Sequence, residues 1–282
     1  MALAPKQQAT QATKRLHLAV AAKRFSMASA TTHRPKFTRH QPLPLAQIIA
    51  KKKQFMTIDK SLAARIDHSV LKADTTNVQI KQLCAEAIDY QFVAVCVPPY
   101  YVTKAATLLT DSRVKVATVI GFPMGYALDF GEKKRAIKNV LKTGATEVDL
   151  VLNIAAIKNA EWGVVRHEFQ QLNQLRTLPK YQNIAIKTII EQGLLTESET
   201  LQVCQICNEY PVDFVKTSTG FNGQGATLEG IHFLRKNLDK NIKIKASGGI
   251  RTRDFAVQLV EAGADRLGCS KGISIVTLSD DF

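Results

Sequence analysis

From Met56 onward the chain alternates short apolar runs with amphipathic segments, eight times over about 225 residues. The apolar runs predict strands at 65–70, 92–97, 114–121, 147–153, 184–191, 214–217, 242–247 and 266–269. Between them lie helical patterns such as "NVQIKQLCAEAIDY", "GEKKRAIKNVLKTG", "EWGVVRHEFQQLNQLRTL", "TLEGIHFLRKNL" and "TRDFAVQLVEAG", two of which stop at Gly144 and Gly263. Such a repeat specifies an α/β chain, a (β/α)₈ TIM barrel. A doubly wound sheet fits less well, because no G-x-G-x-x-G follows the first strand.

Strands of an all-parallel sheet read as unbroken apolar runs, because both faces are covered. Several strands here break that rule, and always on one face. In "EVDLVLN", Glu147, Asp149 and Asn153 oppose Val148, Leu150 and Leu152. Lys187 and Glu191 share a face in "IAIKTIIE", Lys216 and Ser218 in "DFVKTSTG", and Lys243 and Lys245 in "IKIKASGG". The apolar faces are expected to pack on the helices and the polar faces to point into the barrel.

Lys187, Lys216 and Lys245 stand 29 residues apart, one βα repeat each, so they fall on three successive strands. Converging ammonium groups cost about 2–4 kcal/mol per close pair at an effective dielectric of about 20. That crowding is expected to be relieved by lowering a lysine pKa, which yields a neutral amine fit for Schiff-base chemistry on a carbonyl. A lone strand lysine is better explained by a stem lying along the core and a head reaching solvent or a carboxylate. Three of them beside Asp149 favour catalysis. Gly220, Gly248, Gly249 and the "LGCSKG" run follow the last three strands, where barrels of this kind hold phosphate. Ser247, Arg251 and Ser270 are candidate side-chain donors there.

Other chemistries find less support. Outside the first 55 residues the histidines are His68, His167 and His232, on separate segments without ligand spacing, so no metal and no cofactor is expected. The Cys204/Cys207 pair lies on an amphipathic helix and reads as two small apolar residues on one face. Five cysteines without framework spacing indicate a reducing compartment. No apolar run is long enough to span a bilayer, so no membrane partner is expected. The net charge of +14 suggests nucleic acid, but its distribution argues against that partner. Residues 1–55 hold eleven Lys or Arg and no Asp or Glu, leaving 27 basic and 24 acidic residues in the rest. The domain reading is therefore a basic extension over 1–55 and a barrel over 56–282. The extension fits an organellar presequence, a disordered arm, or sequence upstream of a true start at Met56. A barrel without activity that binds nucleic acid through this arm is the rival from outside enzymology, and the set of inward lysines opposes it.

"FVKTSTGF", "IKASGGIRT", "ATEVDLVLNIAAIK", "RIDHSVLK", "VATVIGFPMG" and "FVAVCVPP" together resemble the deoxyribose-phosphate aldolase family, in order over about residues 59–276. The resemblance implies a class I aldolase of deoxyribonucleoside catabolism that cleaves 2-deoxy-D-ribose 5-phosphate reversibly to D-glyceraldehyde 3-phosphate and acetaldehyde. By motif match Lys216 is the Schiff-base lysine, and Lys245 favours its neutral amine. Asp149 is the proton-shuttling acid/base, and Asp67, Cys96 and Lys187 line the substrate cavity. Gly220, Gly248, Gly249 and Ser270 match the phosphate loops. The resemblance also implies small phosphorylated sugars and aldehydes as partners, a homo-oligomer, specifically a dimer, and a cytoplasmic enzyme, or an organellar one if the extension is a presequence. Pro99, Lys271 and an end at Phe282 without the tyrosine of some members depart from the family pattern.

Overall fold

The computed structural model describes residues 57–278. Eight parallel strands close into a barrel in sequence order: β1 (Ile66–Ser69), β2 (Ala94–Val97), β3 (Lys115–Ile120), β4 (Glu147–Val151), β5 (Ala185–Ile189), β6 (Phe214–Lys216), β7 (Lys243–Ser247) and β8 (Arg266–Cys269). β1 pairs with both β2 and β8, which completes the ring. The expected (β/α)₈ barrel is therefore the fold, and all eight expected strands are present. Most are shorter than the apolar runs that announced them, because ladder pairing ends before the apolar pattern does. The readings on residues 1–55 and on Phe282 lie outside the described residues.

The helices are α1 (Lys60–Ala63), α2 (Asn77–Asp89), α3 (Val102–Leu108), α4 (Phe130–Lys142), α5 (Ile154–Lys158), α6 (Trp162–Arg176), α7 (Glu197–Glu209), α8 (Leu228–Asn237), α9 (Arg253–Glu261) and α10 (Gly272–Val276). Local chemistry sets their starts. Thr76 with Gln79, Asp129 with Glu132 and Thr196 with Glu199 form reciprocal capping boxes at α2, α4 and α7. Thr227 and Thr252 cap α8 and α9. Gly144 and Gly263 follow α4 and α9 with φ of +110° and +116°, in keeping with the helix stops expected from sequence.

The outward strand residues, among them Val95, Val148, Leu150, Ile186, Val215 and Ile244, are buried against this helical ring. Among the described residues no helix is long and apolar enough to cross a membrane. Cys204 and Cys207 lie buried on α7, and burial pushes the Cys204 thiol up to about 12. That agrees with two packing residues on one face.

Among the described residues, one buried ion pair sits outside the barrel interior. Lys133 of α4 reaches Glu168 of α6 at 2.5 Å and Val151 O at 3.0 Å, and the other Glu168 oxygen accepts from Asn153 N at 3.0 Å. The pair thus pins the end of β4, two residues beyond Asp149. Glu168→Leu leaves the Lys133 ammonium buried without its anion, so chemical denaturation should show a loss of about 3–5 kcal/mol. Adding Lys133→Met should recover most of that loss; a Glu168→Leu variant as stable as wild type would contradict this reading.

Candidate active site

The inward positions form a charged column. It contains Lys187, Lys216, Lys245 and Arg266 as cations and Asp67, Glu147 and Asp149 as anions, all buried. Asp149 is its hub. One Asp149 oxygen accepts from Lys187 at 2.9 Å; the other accepts from Lys216 at 2.8 Å and from Lys245 at 2.6 Å. Lys187 also meets Glu147 at 2.6 Å and Asp67 at 3.7 Å. Lys245 donates to Asp67 at 2.5 Å, and Arg266 binds Asp67 and Glu147 beneath.

Register explains the levels. Lys187 pairs across to Phe214, and Lys216 pairs to Ile189 on one side and Lys245 on the other. Lys216 therefore stands one inward step closer to the C-terminal mouth than Lys187. Lys187 has three carboxylates in reach and Lys245 two. Among the described residues, Lys216 is ion-paired to Asp149 alone, and it shares that carboxylate with both other lysines.

At Lys187 and Lys245 the expected lowering of a lysine pKa does not occur, because carboxylates lie between the ammonium groups. Burial works against the charged form of Lys245, but Asp149 and Asp67 outweigh it and hold Lys245 above the ordinary lysine value. Lys187 is likewise raised, with burial opposed by Asp149 above all. Crowding among cations is relieved mainly by interleaved anions, so neither of these two lysines is driven toward the neutral amine. The same pairing acts in reverse on the acids. Burial opposes their charge, yet Lys187, Lys216 and Lys245 hold Asp149 well below the usual carboxylate range. Lys245, Lys187 and Arg266 do the same for Asp67.

The other expected site residues divide by depth. Asp67 and Lys187 are fully buried and engaged in ion pairs beneath the mouth. Cys96 faces inward from β2 with Ala117 and Val119, its thiol pushed up to about 11, chiefly by burial. Lys243 has the expected parity but lies exposed at the start of β7, 5.6 Å from the Phe214 ring centre. Asn153 leaves the inward face to cap α5. Glu191 leaves it as well and turns into the loop after β5. His68 points away from the barrel to Glu86 at 2.8 Å, and His167 and His232 lie on α6 and α8.

Gly220, Gly248, Gly249 and Ser270 lie in the loops that follow β6, β7 and β8 at this mouth. Gly248, at φ +83°, lies so close to Gly225 that a Cβ would meet the Gly225 Cα at 2.9 Å. The two loop backbones can approach this closely because neither residue has a side chain. Gly249 faces open space. Ser247 does not offer a free donor: its hydroxyl bonds Ser218 O while the Ser218 hydroxyl bonds Ser247 O, each at 2.5 Å. Beside the charged column, a cavity of about 720 Å³ opens between Leu71, Pro98, Tyr101, Val119, Phe122 and Phe221. Val119 is in register with Asp149, so this apolar space adjoins the ion-paired groups.

The model of the DeoC/LacD family aldolases matches residues 61–276. The chain belongs to that family. It is an aldolase, a carbon–carbon lyase, and the resemblance seen in its motifs is borne out. The deoxyribose-phosphate aldolase of Brevibacillus brevis is 45% identical over 212 residues, covering 75% of this chain and 93% of the relative. That of Caldicellulosiruptor saccharolyticus is 43% identical, covering 77% and 98%. Among solved structures, the deoxyribose phosphate aldolase of Aeropyrum pernix, described as a tetramer, superposes with a TM-score of 0.69 at 30% identity, covering 82% of this chain and 97% of that one.

Arg266 and the inward role of Glu147 as its partner escaped the sequence reading of this DeoC/LacD aldolase. A signal existed: Arg266 is a charged residue on a strand of an otherwise apolar barrel wall, the same rule violation that exposed the lysines.

Proposed function

We propose that this aldolase cleaves 2-deoxy-D-ribose 5-phosphate reversibly to D-glyceraldehyde 3-phosphate and acetaldehyde, through a Schiff base on Lys216. The observation that carries the assignment is the sharing of Asp149. Lys187 and Lys245 each have further carboxylates, whereas Lys216 has only part of one and is the one of the three that is not fully buried. Of the three it is the amine most easily released to attack a carbonyl.

In this reading the Lys216 amine adds to the C1 aldehyde of the open-chain sugar, giving a carbinolamine that loses water to form an iminium. Removal of the C3 hydroxyl proton breaks the C2–C3 bond. D-Glyceraldehyde 3-phosphate leaves and the electron pair remains as an enamine. Protonation at C2 and hydrolysis then release acetaldehyde and the amine. Asp149 moves the protons, since one of its oxygens already bridges Lys216 and Lys245. Lys245 holds that carboxylate away from exclusive pairing with Lys216. Asp67 and Lys187 act from below by fixing Lys245 and Asp149. Cys96 packs behind the cavity wall, in one cluster with Val119, Leu71 and Phe122, and Gly220, Gly248, Gly249 and Ser270 receive the phosphate.

Assay of the purified chain against 2-deoxy-D-ribose 5-phosphate and other sugar phosphates tests the substrate. Acetaldehyde release from the deoxysugar phosphate is expected; cleavage of a different sugar phosphate in preference would replace this reading with another Schiff-base aldolase. The same reading makes residues 56–282 the catalytic domain of a cytoplasmic homo-oligomer. Light scattering that gave the mass of one chain would remove the oligomer from it.

A further inference from the structure

Glu191, in the loop after β5, combines two features that are costly apart. Its backbone is left-handed, with φ 51° and ψ 53°, a conformation that glycine adopts freely and glutamate does not. Its carboxylate is fully buried. Strain kept at a non-glycine position, with a buried charge on the same residue, implies that the side chain is needed where it is.

The carboxylate is held by donors of the β6 loop. Thr219 gives its N–H at 3.1 and 3.2 Å and its hydroxyl at 2.6 Å, and the Asn222 amide approaches at 3.4 Å. These donors are all neutral groups of one loop, so the carboxyl group of Glu191 is fastened to that segment by directional hydrogen bonds. Thr219 directly precedes Gly220. Asn222 also donates to Pro123 O at 2.9 Å, and the Phe221 ring meets Phe122 edge-on at 5.0 Å. One carboxylate thus fixes the segment that carries Gly220 and ties it across the mouth to the loop after β3.

We infer that Glu191 is a positioning residue for phosphate recognition. It holds Thr219 and Gly220 in the conformation that receives the substrate phosphate, and thereby sets the preference for a phosphorylated over an unphosphorylated sugar. The inference rests on the deoxyribose-phosphate reading above. A residue that merely staples the fold would affect both sugars alike; a phosphate-positioning residue affects one.

The test compares wild type with Glu191→Gln, Glu191→Gly and Glu191→Asp, each as the full chain, on 2-deoxy-D-ribose 5-phosphate and on 2-deoxy-D-ribose. In Glu191→Gln, KM for the phosphorylated sugar should rise about tenfold, with kcat within about threefold. The kcat/KM for the unphosphorylated sugar should stay within about twofold of wild type. Glu191→Gly relaxes the backbone while removing the carboxylate, so it carries the test if the glutamine variant folds poorly and should show the same split. Glu191→Asp, which keeps the charge, should recover part of the loss. An unchanged phosphate preference in the variants, or an equal fall with both sugars, overturns the inference alone. A wild-type enzyme without phosphate preference overturns the substrate reading and this inference with it.

Discussion

Replacing Lys216 with leucine is expected to lower kcat/KM for 2-deoxy-D-ribose 5-phosphate by about 10⁴-fold or more, because the covalent route disappears with the amine. The fold should survive. Asp149 keeps Lys187 at 2.9 Å and Lys245 at 2.6 Å, so its charge stays compensated. The loss of stability should fall well below the about 3–5 kcal/mol of an unpaired buried charge. Activity assays and urea denaturation on one preparation separate the two effects. A variant retaining a tenth of wild-type activity would remove Lys216 from the chemistry. One that failed to fold would show that the lysine is needed as a counter-charge.

Asp149→Asn should behave differently, losing both properties at once. Without Asp149 the buried column holds four cations, Lys187, Lys216, Lys245 and Arg266, against Asp67 and Glu147. A loss of about 3–5 kcal/mol is expected on denaturation, together with a fall of about 10²- to 10⁴-fold in kcat through loss of the proposed proton carrier. The pH dependence follows from the acids. Asp149, Asp67 and Glu147 are held below their ordinary values of 3.8, 3.8 and 4.5 by the neighbouring lysines and Arg266, in spite of burial. Depressed carboxyls contribute stability that is complete above their unfolded values and is lost as pH falls through the folded ones. Wild-type stability should therefore hold down to about pH 5 and decline steeply only below about 4. The Asp149→Asn variant should show a shallower acid decline, since one depressed acid is gone, and should gain stability above about pH 8 as crowded lysines release protons. Parallel acid profiles for the two proteins would contradict the hub role of Asp149.

The barrel was legible because its signal is local. Each strand announces itself as an apolar run, and the inward parity of Glu147, Asp149, Lys187, Lys216 and Lys245 follows from the two-residue repeat of a strand. The compensation of charge was not legible, because it depends on barrel closure. Asp67 and Lys245 are 178 residues apart in the chain and meet only because β1 pairs with β8. Parity also carries no information about depth. It places Lys243 and Lys245 on one face correctly, but the register decides that the first lies at the exposed start of β7 and the second in the buried column. The same parity assigns Glu191 to the inward face. The strand ends at Ile189 and the backbone turns left-handed two residues later, a change that no alternation rule reports.

In the proposed mechanism Lys216 forms the covalent intermediate. Borohydride reduction of the enzyme with 2-deoxy-D-ribose 5-phosphate or acetaldehyde, followed by peptide mass mapping, tests it directly. Reduction should fix a two-carbon ethyl group from acetaldehyde, or that group or the five-carbon sugar phosphate from the substrate, on the peptide containing Lys216, with none on those containing Lys187 or Lys245. An adduct on Lys187 or Lys245, or no adduct while the substrate is being cleaved, would contradict it.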